Sequence, residues 1–206
     1  KPLHGIGRMN KVSKQLNIDL TNRRTLVESL RHEQFKKGVE VGVRLGWFSK
    51  YILEHTDMSL DCIDPWEQNA ELVNDWEEAY VFCQKLLKDY IEEDRCRMIK
   101  DLSPQVTSEY KDETLDFIYI DGLHDYESVK EDLNAWWPKL KQKKLLCGHD
   151  YNPHKWPGVV QAVEEFCATK GLQRHLTGIV GNAIQSHTGD IDEYDGDEHT
   201  YVIIKK

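Results

Sequence analysis

Two apolar runs in this chain end in acid and imidazole: YIDGLHDY at 119–126 and GHDY at 148–151. A strand core gains nothing from an aspartate, because burying a carboxylate without a partner is expensive. Asp121 and Asp150 therefore imply something that meets them, a cation or a hydroxyl brought to the strand ends. His124 stands just past the first run, and its intrinsic pKa, close to neutrality, suits proton transfer. Taken alone, a histidine in such a place more often makes a structural hydrogen bond.

A second set of residues lies earlier. The run GVEVGV leads into EVGVRLG at 40–46, in which an acid, Glu40, precedes Gly42 and Gly46. Glycines here permit a tight turn and close approach of a ligand to the backbone. The spacing is not the G-x-G-x-x-G of dinucleotide sites. The next apolar run, LDCID, ends in Asp64, followed by Pro65 and Trp66. An acid at that tip, beside a glycine turn, can accept the hydroxyls of a ribose; a helix-capping role is the alternative.

Short apolar runs alternating with helical periodicity must position these groups, and that alternation predicts strand–helix units around a largely parallel sheet. Strands are expected near 38–43, 60–64, 96–99, 115–121 and 144–149, with 200–205 closing the sheet as an antiparallel strand. Helices are expected over 24–36, 47–55, 69–92, 126–140 and 157–170. Asp125 suits the N-cap of the fourth and Pro157 the first turn of the fifth. In an open parallel sheet, ligands bind beyond the carboxyl ends of the strands, so YID and GHD fall on one side of the molecule.

At 206 residues the chain suits one domain spanning 1–206, with 1–23 as an N-terminal extension; its first residue, Lys1, is compatible with excision from a longer multidomain chain. A net charge of −9 argues against a nucleic-acid partner. No long apolar run or leader-like start is present, so neither membrane insertion nor secretion is expected, and the cytoplasm is the expected location. Five scattered cysteines, none in C-x-x-C spacing, read as reduced thiols. The acidic stretch at 190–199 fails the calcium-loop pattern, because aligning Gly196 with the required glycine leaves Ile191 and Glu193 in ligand positions. It reads as a solvated hairpin loop.

As a set, VEVGVRLGWFSKYILE, LDCIDPWE and LDFIYIDGLHDYESVKEDLNAWWPKLKQKKLLCGHDY resemble the class I S-adenosylmethionine-dependent methyltransferases. Within them they are similar to the branch of macrolide-sugar O-methyltransferases and cephalosporin hydroxylase-like proteins. The resemblance implies a Rossmann-like α/β sandwich: a mostly parallel seven-stranded sheet, its last strand antiparallel, with helices on both faces. It places Glu40 and Gly42 around the methionine part of S-adenosylmethionine, Gly46 also at the cofactor, and Asp64 on the ribose. Trp66, Asp101 and Ser103 fall near the adenosine, and Asp121 borders the cofactor. In metal-using members, residues in the places of Asp121, His149 and Asp150 hold a divalent cation, magnesium or manganese, and a histidine in the place of His124 acts as base. His149 departs from the acid more usual there, and imidazole suits manganese, iron or zinc better than magnesium.

The reaction this implies is methyl transfer to a hydroxyl of a sugar, glycan or sugar-bearing metabolite, with Asp121 and His124 catalytic. A small phenol or catechol is the nearest alternative acceptor. A non-catalytic module of a larger protein and a nicotinamide-dependent oxidoreductase are readings of other kinds. Fusion to further domains and homo-oligomerisation both remain open. Of Trp136 and Trp137, at least one should enter the core; Trp156 either stacks a sugar ring or anchors its loop.

Overall fold

The structure, a computed structural model, describes residues 16–67, 76–178 and 199–206. Its centre is a seven-stranded sheet of β1 (Lys37–Val41), β2 (Ser59–Ile63), β3 (Cys96–Ile99), β4 (Leu115–Ile120), β5 (Leu140–Tyr151), β6 (Arg174–Leu176) and β7 (His199–Ile204), in the order β3-β2-β1-β4-β5-β7-β6. The first five strands pair in parallel; β7 runs antiparallel between β5 and β6. Every residue of β4 is buried, as expected of a strand covered on both faces, and from Phe117 onward, past a register shift against β5, its side chains alternate between the two faces. Phe117 and Tyr119 join one core, Ile118 and Ile120 the other.

The first core is covered by α1 (Arg23–His32), α2 (Trp47–His55) and α3 (Trp76–Leu86), the second by the short α5 (Ser103–Val106) together with α6 (Tyr126–Trp136) and α7 (Pro157–Lys170). Helix starts follow their capping residues. Asn22 forms a reciprocal cap with Thr25 at α1, Asp125 accepts Ser128 N–H at α6, and Pro157 opens α7. Among the described residues no helix is long and apolar enough to cross a membrane.

The expected single helix over 69–92 is instead α3 and a separate α4 (Lys88–Glu92), broken at Leu87; residues 69–75 lie outside the described ones. The periodicity carries across the break because Cys83 and Leu87 face the same core. The helix expected to reach residue 140 ends at Trp136, where Pro138 lies in a 3-10 turn over Trp137–Lys139 that cannot supply a further helical N–H. Trp136 is fully buried; Trp137 meets Phe166 edge-on at the margin of the core. Likewise α1 stops at His32 and β5 begins at Leu140, and β6 is a strand that the apolar pattern did not show. The acidic stretch over 190–198 lies outside the described residues.

Candidate active site

The chain leaves β1 for β2 and β3 on one side and returns to β4 on the other, so the crevice at the tips of β1 and β4 is the topological switch point where such sheets bind ligands. Gly42 makes that crossing possible. Its φ is +83°, and a Cβ there would lie 2.0 Å from the Asp121 carbonyl oxygen, far inside contact distance. Gly46 enters α2 at φ +82°, where a Cβ would meet Cys83 Sγ at 2.5 Å. Both glycines of EVGVRLG are thus required by the backbone itself.

Asp64, at the tip of β2, holds the loop between them. Its Oδ2 accepts the N–H groups of Val43 and Arg44, both at 2.9 Å, and its Oδ1 accepts Trp66 N–H at 2.8 Å. Arg44 and Trp66 have φ values of 51° and 42°, a left-handed conformation rare for side-chain-bearing residues. The Trp66 indole is buried against Tyr80 and donates to Arg44 carbonyl at 2.8 Å. Glu40 is buried below, accepts Ser49 Oγ–H at 2.5 Å, and has its pKa pushed up to about 8, chiefly by burial. A carboxyl that lacks a full counter-charge suits a pocket that receives a cation.

Of the residues expected near the adenosine, Asp101 is exposed and accepts Leu102 N–H at 2.7 Å. Ser103 is turned inward: it donates to Asp132 Oδ1 at 2.6 Å and accepts Trp136 Nε1–H at 2.7 Å. Asp132 belongs to the D-G-x-H-x-Y-x-x-V-x-x-D pattern, yet nothing in its spacing from Ser103 revealed the pair. Burial pushes its pKa up to about 6.

Across the crevice, the tips of β4 and β5 bring the acid and imidazole groups together. His124 Nε2 and Asp150 Oδ2 are 2.6 Å apart, and His149 Nδ1 lies 3.3 Å from Asp150 Oδ1. Ligand atoms of Asp121, His124 and Asp150 all lie within 4.8 Å of one another. The sequence reading grouped Asp121, His149 and Asp150 for a metal; the structure gathers His124 with the two carboxylates and leaves His149 beside Asp150. Two carboxylates and an imidazole form a donor set that suits manganese, iron or zinc. Asp121 has its pKa pushed up to about 6, first by burial and also by the Asp150 charge, against which the His149 charge acts.

Three features hold this cluster. Asp150 sits at φ 59°, with its carbonyl accepting Asn152 N–H at 2.7 Å, and this turn directs its side chain back toward His124. Trp156 stacks on the His124 ring, centroids 4.2 Å apart and planes at 25°. Gly158 lets α7 close on the HDY segment, since a Cβ there would lie 2.7 Å from Tyr126 N and 2.9 Å from His124 O. A glycine directly after Pro157 was the only trace of this in the sequence. Arg23 of α1 adds a positive charge nearby: its guanidinium lies 4.3 Å over the Phe48 ring, and its charge opposes the rise that burial causes at Glu40 and Asp121.

A family model described as methyltransferase domain matches residues 38–151, from β1 to the end of GHDY. A curated protein of Sinorhizobium fredii, the uncharacterized protein y4gI, is 26% identical over 131 residues, 61% of this chain and 14% of that protein. The chain therefore spans a small part of that relative's length. Solved structures agree in fold. A Corynebacterium glutamicum protein matches with TM-score 0.63 at 15% identity, covering 92% of this chain and 84% of that one. An O-methyltransferase of Bacillus cereus in complex with SAH gives 0.61 at 14%, over 88% and 80%. The N-methyltransferase NodS of Bradyrhizobium japonicum gives 0.58 at 15%, over 89% and 94%. The chain belongs to the methyltransferase domain family and carries the fold of the class I S-adenosylmethionine-dependent enzymes.

Proposed function

We propose that the domain methylates a hydroxyl of a sugar, glycan or sugar-bearing metabolite, using S-adenosylmethionine as donor. The observation that carries the reading is the His124–Asp150 pair at 2.6 Å, set beside Asp121 at the edge of the donor crevice. An oxygen acceptor must lose a proton as it is methylated, and this is the group of side chains able to take one.

S-adenosylmethionine, when bound, supplies a methyl carbon made electrophilic by a sulfonium. Glu40 and Asp121 are the buried carboxyls that would face that cation. Asp64 holds the loop with three N–H contacts and, with about four lone-pair positions on a carboxylate, retains capacity for one ribose hydroxyl. As the acceptor oxygen bonds to the methyl carbon and the carbon–sulfur bond breaks, His124 takes the hydroxyl proton. Donation of Nε2–H to Asp150 places the basic lone pair of the ring on Nδ1, and the Asp150 charge stabilises the imidazolium that forms. Asp121, His124 and Asp150 are also the residues that would hold a divalent cation, which would lower the pKa of a hydroxyl it touched.

The test is methyl transfer to a panel of glycans and phenols, with and without chelator. His124→Ala should lower turnover by about 10²–10⁴-fold, the usual size of a general-base contribution, with S-adenosylmethionine affinity kept. Retained turnover removes His124 as base. Chelator-resistant turnover assigns His124 to proton transfer; chelator-sensitive turnover restored by manganese assigns it to the cation. Transfer to phenols alone replaces the sugar acceptor by an aromatic one.

A further inference from the structure

At the cluster lies a small cavity lined by Asp121, His124, His149 and Asp150 together with Ile120, Val129, Val159 and Tyr201, with Gly122 and the exposed Leu123 at its margin; its volume is about 10 Å³. That is the room of one water-sized oxygen. Tyr201 comes from β7, away from every motif in the sequence. Its ring is 1% exposed, and among the described residues its hydroxyl has no hydrogen-bond partner. A buried, unpaired hydroxyl is costly, and native structures rarely keep one without a role.

The hydroxyl reaches this place because Gly148 has no side chain: a Cβ there would lie 2.3 Å from Tyr201 Oη and 2.5 Å from the Ile120 carbonyl oxygen. The glycine of GHDY thus opens a passage from β7 to the undersides of Asp121 and His149, the residues that follow Ile120 and Gly148. Burial keeps the phenol protonated, so it acts as a donor.

We propose that this cavity is a built site for a single water, and that Tyr201 is a positioning residue for the methyl-transfer cluster. Tyr201 O–H donates to the water, and the water donates to the Asp121 carboxylate, fixing that carboxylate in its orientation toward His124 and Asp150. The catalytic part of this inference rests on the hydroxyl-methylation reading; the water site does not.

Tyr201→Phe separates the two. The expected crystallographic result is a solvent peak within hydrogen-bond distance of Tyr201 Oη and Asp121 in the wild type, lost or displaced in Tyr201→Phe. Crystals grown with manganese should show no anomalous signal at that position. The variant should melt lower than the wild type, and with an accepted hydroxyl substrate kcat should fall about tenfold with both KM values unchanged. A wild-type cavity without solvent density, an anomalous peak there, or a Tyr201→Phe variant that melts higher overturns the water site. An intact water site with unchanged kcat overturns the positioning role. Failure to methylate any hydroxyl leaves the crystallographic and melting readouts standing, so it counts against the proposed function and not against the site.

Discussion

Asp64 and Asp150 end two strands of the same sheet and are 6% and 7% exposed, yet they are satisfied in opposite ways. Asp64 accepts three backbone N–H groups of the loop it anchors. Asp150 faces two imidazoles, His124 at 2.6 Å and His149 at 3.3 Å, from a backbone position at φ 59°. Backbone donors cannot ionise or leave, so the first carboxylate builds a fixed cradle. Imidazoles can change charge and move protons, so the second is the carboxylate that the proposed proton transfer would use. Equal burial therefore hides different work, and the difference lies in what kind of group each acid meets.

The largest perturbation should erase the distinction by striking both regions together. In Gly42→Ala the new Cβ would press on the Asp121 carbonyl at 2.0 Å while the backbone stays at φ +83°. Neither backbone segment can yield cheaply, and a loss of about 3 kcal/mol or more is expected, on the scale of severe packing strain. Denaturant titration should show it, with donor binding and turnover falling in step. A variant of near wild-type stability would mean that the crossing of the two tips is looser than described.

Exchanging each acid for its amide sharpens the comparison. Asp64→Asn weakens three N–H contacts, two of them buried, and should cost about 1–3 kcal/mol of stability. Asp150→Asn keeps a residue type that tolerates positive φ, so stability should change by under about 1 kcal/mol. Turnover should instead fall about tenfold to a hundredfold, the usual effect of removing a partner that orients a functional group. If Asp150→Asn destabilises as much as Asp64→Asn while sparing turnover, Asp150 is structural as well.

Glu40 gives the cradle its own pH signature. Its pKa stands at about 8 in the fold against an ordinary 4.5. An acid raised in this way contributes stability that is complete below its unfolded pKa and is lost as pH rises through the folded value. The donor-free protein should therefore lose stability between about pH 5 and pH 8.5, by on the order of 1 kcal/mol or more. Asp121 and Asp132, both raised to about 6, steepen the lower part of that window. Glu40→Gln should flatten the upper part, and saturating S-adenosylmethionine should do the same in the wild type by supplying a cation. A Glu40→Gln melting curve that keeps the full decline above pH 7 would place its cause elsewhere.

How much of this was legible follows the same division. The cradle is local: Glu40, Gly42, Gly46 and Asp64 stand in two short segments whose strand ends and glycines are written in the sequence, and the sheet brings β1 and β2 side by side as adjoining parallel strands. The sheet itself was legible where strands are long and apolar, and β6 escaped because a three-residue edge strand, half-buried throughout, carries no period. The cluster depends on side-chain direction. Asp150 at positive φ turns its carboxylate to His124, which no alternation rule predicts for a non-glycine residue. Hence the sequence suggested His149 as a ligand and His124 as a separate base, while the chain brings His124 to both carboxylates. Tyr201, and the partners of Ser103 in Asp132 and Trp136, were illegible for another reason: each meeting spans more than 25 residues of chain, and apolar strand or turn positions look alike before the fold closes.

The smallest effect concerns Trp156, where two readings of one aromatic part company. Stacked on His124 at 4.2 Å, it fixes the imidazole plane and covers one face of the ring. Aromatic pairs of this kind contribute about 0.5–1.5 kcal/mol beyond area burial, and 1.4 kcal/mol is tenfold in rate. Trp156→Leu should therefore lower kcat by about threefold to tenfold, with the acceptor KM nearly unchanged, because what is lost is the aim of the base. Were Trp156 chiefly a platform for a sugar ring, the same variant would raise the acceptor KM and spare kcat. The split between the two constants thus decides whether the aromatic serves the imidazole or the acceptor, and a rise in KM alone would move Trp156 from the cluster to the acceptor pocket.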